Sequence, residues 1–345
     1  MNTNSNINGK YAIICNKLTK SYGTQVAVDQ IDLKIRYGSI FGLLGPNGAG
    51  KTTIIKMLTG LVKPSNGDAH VVGYSVAKEE IKVKENIGWI SSEVILDESL
   101  NTMENLWIQS NLHNIGNKWK KKAVSIMKYF ELDENRGKKV SQLSTGTRKK
   151  LEITMALLHE PKVLFMDEPT IGLDANTRRL LWNLVKKINK IYGVTILLTT
   201  HYIEEADILC DEIAIINQGK IIAIGSPQKL KSIVGGDLIE IEFFSNFDVE
   251  LIKTIEGVKT MRYNESMKVE DPQSEKQLKA FIKVNDAETV LPTLISTINK
   301  SKPNNIKSIK IEKPNLESIF LELTGMRINE IEEKEDKEIY SKRSR

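Results

Sequence analysis

The run Gly45-Pro46-Asn47-Gly48-Ala49-Gly50-Lys51-Thr52-Thr53 has the residue types and spacing to cradle phosphate. Glycines let successive backbone N–H groups curl toward one point and form a concave anion site. Lys51 can then reach β- and γ-phosphates, and the Thr52 hydroxyl can ligate Mg²⁺. Two elements must hold the loop. Ser39 to Leu44 reads as a short buried strand, and Thr53 to Leu58 as the opening of a helix. Strand, glycine-rich turn and helix N-terminus is the order such a loop requires, with the anion at the positive end of the helix dipole.

Later residues narrow the chemistry. Val163 to Asp167 is an apolar strand that ends in two adjacent carboxylates, Asp167 and Glu168. Alternation along a strand predicts that they face different sides. One suits the shell of Mg²⁺ on bound phosphates, and the other, Glu168, suits a general base that polarises an attacking water. A second apolar run, Val194 to Thr200, ends in His201, which a parallel strand would deliver beside a γ-phosphate. Gln142 to Thr147 opens a helical pattern from Arg148 to His159. Its Ser-Thr-Gly cluster suits plain N-capping and an anion site equally.

In this order and spacing, residues 11–227 resemble the ATP-binding subunit of an ABC transporter. The resemblance identifies Gly45 to Thr53 as the Walker A loop and Val163 to Glu168 as Walker B. Leu143 to Thr147 becomes the signature, Gly172 to Asp174 the D-loop, and His201 the switch histidine. Tyr22 takes the place of the aromatic residue that stacks on adenine. The implied fold is α/β: a P-loop NTPase cassette with a RecA-like core, an antiparallel β subdomain and a helical subdomain at about residues 93–143.

The implied cofactors are ATP and Mg²⁺. Tyr22, Gly45, Pro46, Asn47, Gly48, Ala49, Gly50, Lys51, Thr52, Thr53 and Asp167 would bind them, with Thr52 and Asp167 on the metal. Lys51, Glu168 and His201 would be catalytic. Ser144, Thr145 and Gly146 would touch the ATP of a second cassette, most simply a copy of this chain, and Asp174 would serve in the D-loop.

Two departures from the family pattern stand out. Thr145 and Thr147 replace residues of the usual Leu-Ser-Gly-Gly-Gln, and Thr145 would be strained if its position required positive φ. Gly146 keeps one flexible backbone position. The metal-loop glutamine is also missing, and its place falls at Ser92 or Glu93.

At 345 residues the chain is long enough for two domains. No stretch reaches the roughly 18 apolar residues of a membrane span. Met1 to Lys10 reads as a disordered N-terminus without a secretory core, and Cys15 and Cys210 as buried small apolar residues in a reducing compartment. A net charge of +5 is mild, and the basic clusters Lys118 to Lys122 and Arg148 to Lys150 read as solvated helix faces.

Residues 228–327 read as a small α/β domain of ferredoxin-like pattern, with strands at Leu238 to Phe243, Lys279 to Val284 and Ile306 to Ile311. Pro314 to Leu321 resembles the C-terminal extension of drug-export and polysaccharide-export ATPases. That extension could regulate, dimerise or simply pack on its own chain. Residues 328–345 form a charged tail.

The expected protein is thus a cytoplasmic ATPase, peripheral on the inner face of the cell membrane, that powers export through a separate transmembrane permease. Nucleic acid is not an expected partner. The alternatives are a soluble ABC ATPase acting on nucleic acid or the translation machinery, and a hydrolytically weak ATP-binding switch.

Overall fold

The computed structural model describes residues 9–91, 95–244, 247–266, 277–313 and 315–324. Ser92 and Glu93, residues 1–8 of the N-terminus and the charged tail lie outside the described residues. The chain divides into two compact units, the first running to Pro227 and the second beginning at Gln228.

Ten strands build the first unit: β1 (Tyr11–Tyr22), β2 (Gln25–Arg36), β3 (Ile40–Leu44), β4 (Asn66–Val71), β5 (Tyr74–Ser75), β6 (Ile87–Ile90), β7 (Val163–Asp167), β8 (Thr195–Thr200), β9 (Glu212–Asn217) and β10 (Lys220–Gly225). Six of them form one sheet in the order β10-β9-β3-β8-β7-β6. The pairs from β9 through β6 are parallel, and only the β9–β10 hairpin is antiparallel. Every residue of β3, β7 and β8 is buried. Continuous apolar runs such as Ile40-Phe41-Gly42-Leu43-Leu44 are what parallel strands covered on both faces need.

The parallel register aligns the strand ends. Leu44 pairs with Thr200, and Asp167 with Thr199, so β3, β7 and β8 stop at one level. The phosphate loop, Glu168 and His201 therefore emerge at the same carboxyl edge, where open α/β sheets place their ligands.

A second sheet, β2-β1-β4-β5, is antiparallel and shares its core with the first. Ile13, Leu18 and Val28 from this sheet belong to the same buried cluster as Ile54 and Met57 of helix Lys51–Leu58 and Phe41 and Phe165 of the core sheet. Cys15 and Cys210 are free and buried.

The described residues between β6 and β7 include helices Thr102–Leu112, Trp119–Tyr129 and Thr145–Leu157. The first starts with a capping box. The Asn101 side chain accepts from the Glu104 amide at 3.0 Å, and the Glu104 carboxylate accepts from the Asn101 amide at 2.7 Å. The third begins at Thr145, three residues earlier than its apolar period indicates, because Ser144 supplies the cap. Of the run Leu106-Trp107-Ile108, only Leu106 is buried, while Trp107 is 53% exposed. Two links tie this region to the core. The His113 and His159 rings stack 3.7 Å apart, and His159 Nε2 lies 2.8 Å from the Ile87 carbonyl at the start of β6.

The second unit contains β11 (Asp237–Phe243), β12 (Val258–Ser266), β13 (Gln277–Val284) and β14 (Ile306–Glu312), in the order β12-β13-β11-β14, all pairs antiparallel. Helices Glu250–Lys253 and Ala287–Ser301 complete a βαββαβ sequence, the split pattern of ferredoxin-like folds. Ile239, Ile241, Phe243, Ala280 and Ile282 face Val290, Leu294 and Ile298 in one core. Sequence reading finds three of these strands. It misses β12, whose Lys-Thr-Met-Arg stretch lacks the apolar alternation of a half-buried strand.

Gly45 carries a packing constraint of its own, since a Cβ there would sit 2.2 Å from the Ile216 carbonyl of β9. Gly45→Ala must displace either β9 or the phosphate loop. We expect a loss of about 1–3 kcal/mol in unfolding free energy, together with weakened nucleotide binding; denaturant titration and nucleotide affinity test both.

Candidate functional site

The phosphate loop is built around close backbone approach. Gly48 and Gly50 have positive φ of 71° and 101°. A Cβ on Gly50 would meet the Ala27 carbonyl at 2.5 Å. The Gly219 amide, from the β9–β10 turn, donates to the Ala49 carbonyl at 3.0 Å, and the Asp29 amide donates to the Gly219 carbonyl at 2.9 Å. The loop is thus braced from β2 through a single turn. Helix Lys51–Leu58 starts at Gly50 with no side-chain cap and no acid in its first turn. Its N-terminal amides and dipole therefore point at the loop with no carboxylate of the helix's own in the way.

Lys51 is 5% exposed. Its Nζ donates to the Gly45 and Pro46 carbonyls at 2.7 and 2.9 Å and lies 3.1 Å from Glu168 Oε1. The Thr52 hydroxyl donates to Asp167 Oδ1 at 3.2 Å. From β8, Thr199 donates its hydroxyl to the same oxygen at 2.6 Å and accepts from the Glu168 amide at 2.9 Å. His201 Nδ1 stands 2.9 Å from Glu168 Oε2, which accepts its proton.

Asp167 and Glu168 do face different partners, yet simple strand alternation is not the whole cause. The strand ends at Asp167, and Glu168 takes a left-handed φ of 49°. A non-glycine residue held there costs of order 1–3 kcal/mol and persists only where its surroundings over-determine it. Thr199, Lys51 and His201 supply that determination. Burial alone would push the Glu168 carboxyl up; the His201 hydrogen bond and the Lys51 ammonium outweigh it and hold the group below the ordinary glutamate value.

Ser144 caps helix Thr145–Leu157, accepting from the Thr147 amide at 3.3 Å, with its hydroxyl 2.8 Å from that of Thr147. Thr145 lies inside the first helical turn, and its φ is not positive. The β-branch is therefore accommodated without the strain that a left-handed position would impose. Gly146 is also helical, so its value is closeness and not flexibility: a Cβ would sit 3.0 Å from Thr177 Cγ2.

Asp174 caps helix Ala175–Tyr192. Its carboxylate accepts from the Asn176 and Thr177 amides, each at 3.0 Å, and from the Thr177 hydroxyl at 2.5 Å. These bonds, the Thr177 hydroxyl first, lower its pKa. A cleft of about 480 Å³ separates the two helices, lined by Ser144, Gly146, Lys150, Gly172, Asp174 and Leu184 among others.

Tyr22 ends β1 half exposed, with Lys20 Nζ 5.1 Å above its ring. Lys51, Thr52, Asp167, Glu168 and His201 thus converge on one point, whereas Ser144, Thr145, Gly146 and Asp174 gather at the cleft. Sequence reading missed Thr199 and Gly219. Only strand register reveals Thr199, because an ordinary threonine in an apolar run signals nothing.

A family model described as ABC transporter matches residues 28–171. The linearmycin resistance ATP-binding protein of Bacillus subtilis (strain 168) is 36% identical over 309 residues, covering 89% of this chain and 96% of its own length. This chain belongs to the ABC transporter family. A daunorubicin resistance ATP-binding protein of Streptomyces coeruleorubidus is 34% identical over 327 residues, covering 94% of this chain and 98% of its own. Among solved structures, a dimeric post-hydrolysis state of an ATP-binding cassette bound to ADP and Pi matches with a TM-score of 0.57 and 25% identity, over 62% of this chain and 98% of that one. As an ABC ATPase, the chain binds and hydrolyses ATP.

The lowered Glu168 pKa has a definite sign in stability. Its pairing stabilises the ABC cassette above the ordinary glutamate value of about 4.3, and this is lost as pH falls through the lower folded value. Wild type should therefore lose stability relative to Glu168→Gln on acidification below about pH 4. Paired denaturant titrations between neutral and acid pH measure the change; a gap independent of pH contradicts it.

Proposed function

We propose that this chain is the ATP-hydrolysing subunit of an exporter, driving a separate transmembrane permease by closing and opening a pair of cassettes around ATP. In this reading residues 11–227 are the cassette, 93–143 its helical subdomain and 228–327 a C-terminal α/β extension. The names of the relatives support export: two are resistance ATP-binding proteins, and a third is a Nod factor export ATP-binding protein of Ralstonia nicotianae. No helix among the described residues is long and apolar enough to cross a membrane, which agrees with a separate permease. The cassette would work in the cytoplasm, peripheral on the inner face of the cell membrane.

The single observation that carries the hydrolytic part is the arrangement around Glu168. One carboxylate oxygen faces the phosphate-loop lysine and the other is held by His201. Glu168 is ionised at neutral pH and fixed in direction, as a base must be to accept a proton from an attacking water. Lys51 and the loop amides take up the charge of the β- and γ-phosphates. His201 holds the Glu168 carboxylate in register. Tyr22 offers a half-exposed ring to adenine.

Thr52 and Asp167 fit Mg²⁺. They are hard oxygen donors 3.2 Å apart at the end of the phosphate loop, as that ion prefers. When bound, it would supply charge neutralisation between phosphates. Ser144 and the helix it caps would meet the ATP of the second cassette, most simply a copy of this chain in a two-fold pair. ATP and ADP differ in the contacts they offer across such an interface, and that difference drives the cycle.

Glu168→Gln keeps size and loses the base. Hydrolysis should fall about 10²–10⁴-fold, and ATP should then trap a stable dimer. Size-exclusion chromatography with light scattering, with and without ATP, checks this. A Glu168→Gln protein that still hydrolyses ATP at the wild-type rate would remove Glu168 from the role of base.

A further inference from the structure

Glu205 is a carboxylic acid outside the set of site residues named above, yet it is 0% exposed. It lies on helix Ile203–Leu209, which starts two residues after His201. Its Oε1 accepts from the indole N–H of Trp182 at 3.0 Å, and Trp182 belongs to helix Ala175–Tyr192, the one that Asp174 caps. Two hydroxyls lie against the same carboxyl, Thr200 and Thr170. Thr200 directly precedes His201 and also accepts from the Tyr202 amide at 2.9 Å. Thr170 follows Glu168 by two residues.

We propose that Glu205 is a positioning residue for ATP hydrolysis, tying the D-loop helix, through Trp182, to the segments that carry His201 and Glu168. The proposal rests on the reading of Glu168 and His201 given above and adds the buried link behind them.

The surroundings define the form of the group. An indole N–H, two hydroxyls and a second carboxylate, Glu168, surround it, and none is cationic. A carboxylate buried without a cation is strongly disfavoured, whereas a neutral acid can be fully satisfied. Burial raises the Glu205 pKa and outweighs the hydrogen bonds of Thr200, Trp182 and Thr170, which lower it, with the Glu168 charge adding to the rise.

The neutral acid has one acceptor for Trp182 and one O–H to donate. Glu205 Oε2 and Thr170 Oγ1 are both buried and lack an aligned partner, which makes that hydroxyl the natural recipient. A small rotation would join them. One side chain would then hold three segments: the turn after Glu168, the strand end before His201, and the helix behind the D-loop. Glutamine has an acceptor and a donor in the same places. Leucine, of similar volume, has neither and would leave the indole N–H and both hydroxyls without this partner.

The test compares steady-state ATPase activity of the full chain as wild type, Glu205→Gln, Glu205→Leu, Trp182→Phe and the Leu/Phe double variant, each from pH 6 to 9. We expect Glu205→Gln to stay within about twofold of wild type at every pH, because it mimics a neutral acid. Glu205→Leu and Trp182→Phe should lower kcat about 5–50-fold with KM for ATP changed by less than about threefold, the mark of lost positioning. The double variant should lose no more than the worse single one, because both break one link.

The titratable neighbours that could intrude on the pH profile are Glu168 and the Cys210 thiol. A Glu205→Gln protein as impaired as Glu205→Leu, or with a shifted pH profile, overturns the neutral-acid link. Full kcat in Trp182→Phe, or additive losses in the double variant, overturns the coupling to the D-loop helix. Should Glu205→Leu fail to fold, Glu205→Gln and Trp182→Phe still decide. An error in the reading of Glu168 shows itself separately, as hydrolysis that survives Glu168→Gln.

Discussion

Two adjacent carboxylates at the end of a buried strand can persist only if each is met by hydrogen bonds or charge. Asp167 and Glu168 are met from three directions: the phosphate-loop helix, the neighbouring strand and the residue that follows that strand. Everything else in the first unit follows from keeping those suppliers in place. Parallel pairing sets the level of the strand ends. The antiparallel sheet and its hairpin brace the loop. The left-handed backbone at Glu168 is the local cost of aiming two neighbouring acids at different partners.

The unusual signature gains a physical account from the helix that contains it. Thr145 stands where a helix tolerates a β-branched residue, and Thr147 shares a short hydroxyl contact with Ser144. Gly146 packs against Thr177, which Asp174 holds by both its amide and its hydroxyl. Helix Thr145–Leu157 and helix Ala175–Tyr192 therefore approach closely at Gly146, where an added Cβ would crowd the Thr177 methyl group. The two threonine replacements leave that approach intact.

Much of this is legible in the amino-acid sequence alone. The phosphate loop announces itself because glycine, lysine and threonine each do something there that no other residue does. Asp167, Glu168 and His201 are legible as polar residues at the ends of apolar runs. Thr199, Trp182 and Glu205 are not, because their partners come from strands and helices distant in sequence, and only register brings them together. Trp107 misleads in the opposite sense. It sits in an apolar run, but the helix turns it outward while Leu106 turns in. In the second unit, polar β12 escapes notice because pairing with β13, and not its own pattern, makes it a strand.

The Ala27 carbonyl is seated between Gly50 and Gly219, which approach it so closely that an added Cβ would come within 2.5 and 2.8 Å. Both glycines also hold a left-handed φ, 101° at Gly50 and 77° at Gly219, so a side chain at either is strained by the backbone as well as by the Ala27 carbonyl. The two positions, far apart in the chain, therefore share one mutational fate. Descendants of this protein would have to rebuild the backbone at either position, along with the path of β2 beneath it, before a side chain could enter. The β1–β2 hairpin and the phosphate loop are thus held to one another through a single carbonyl.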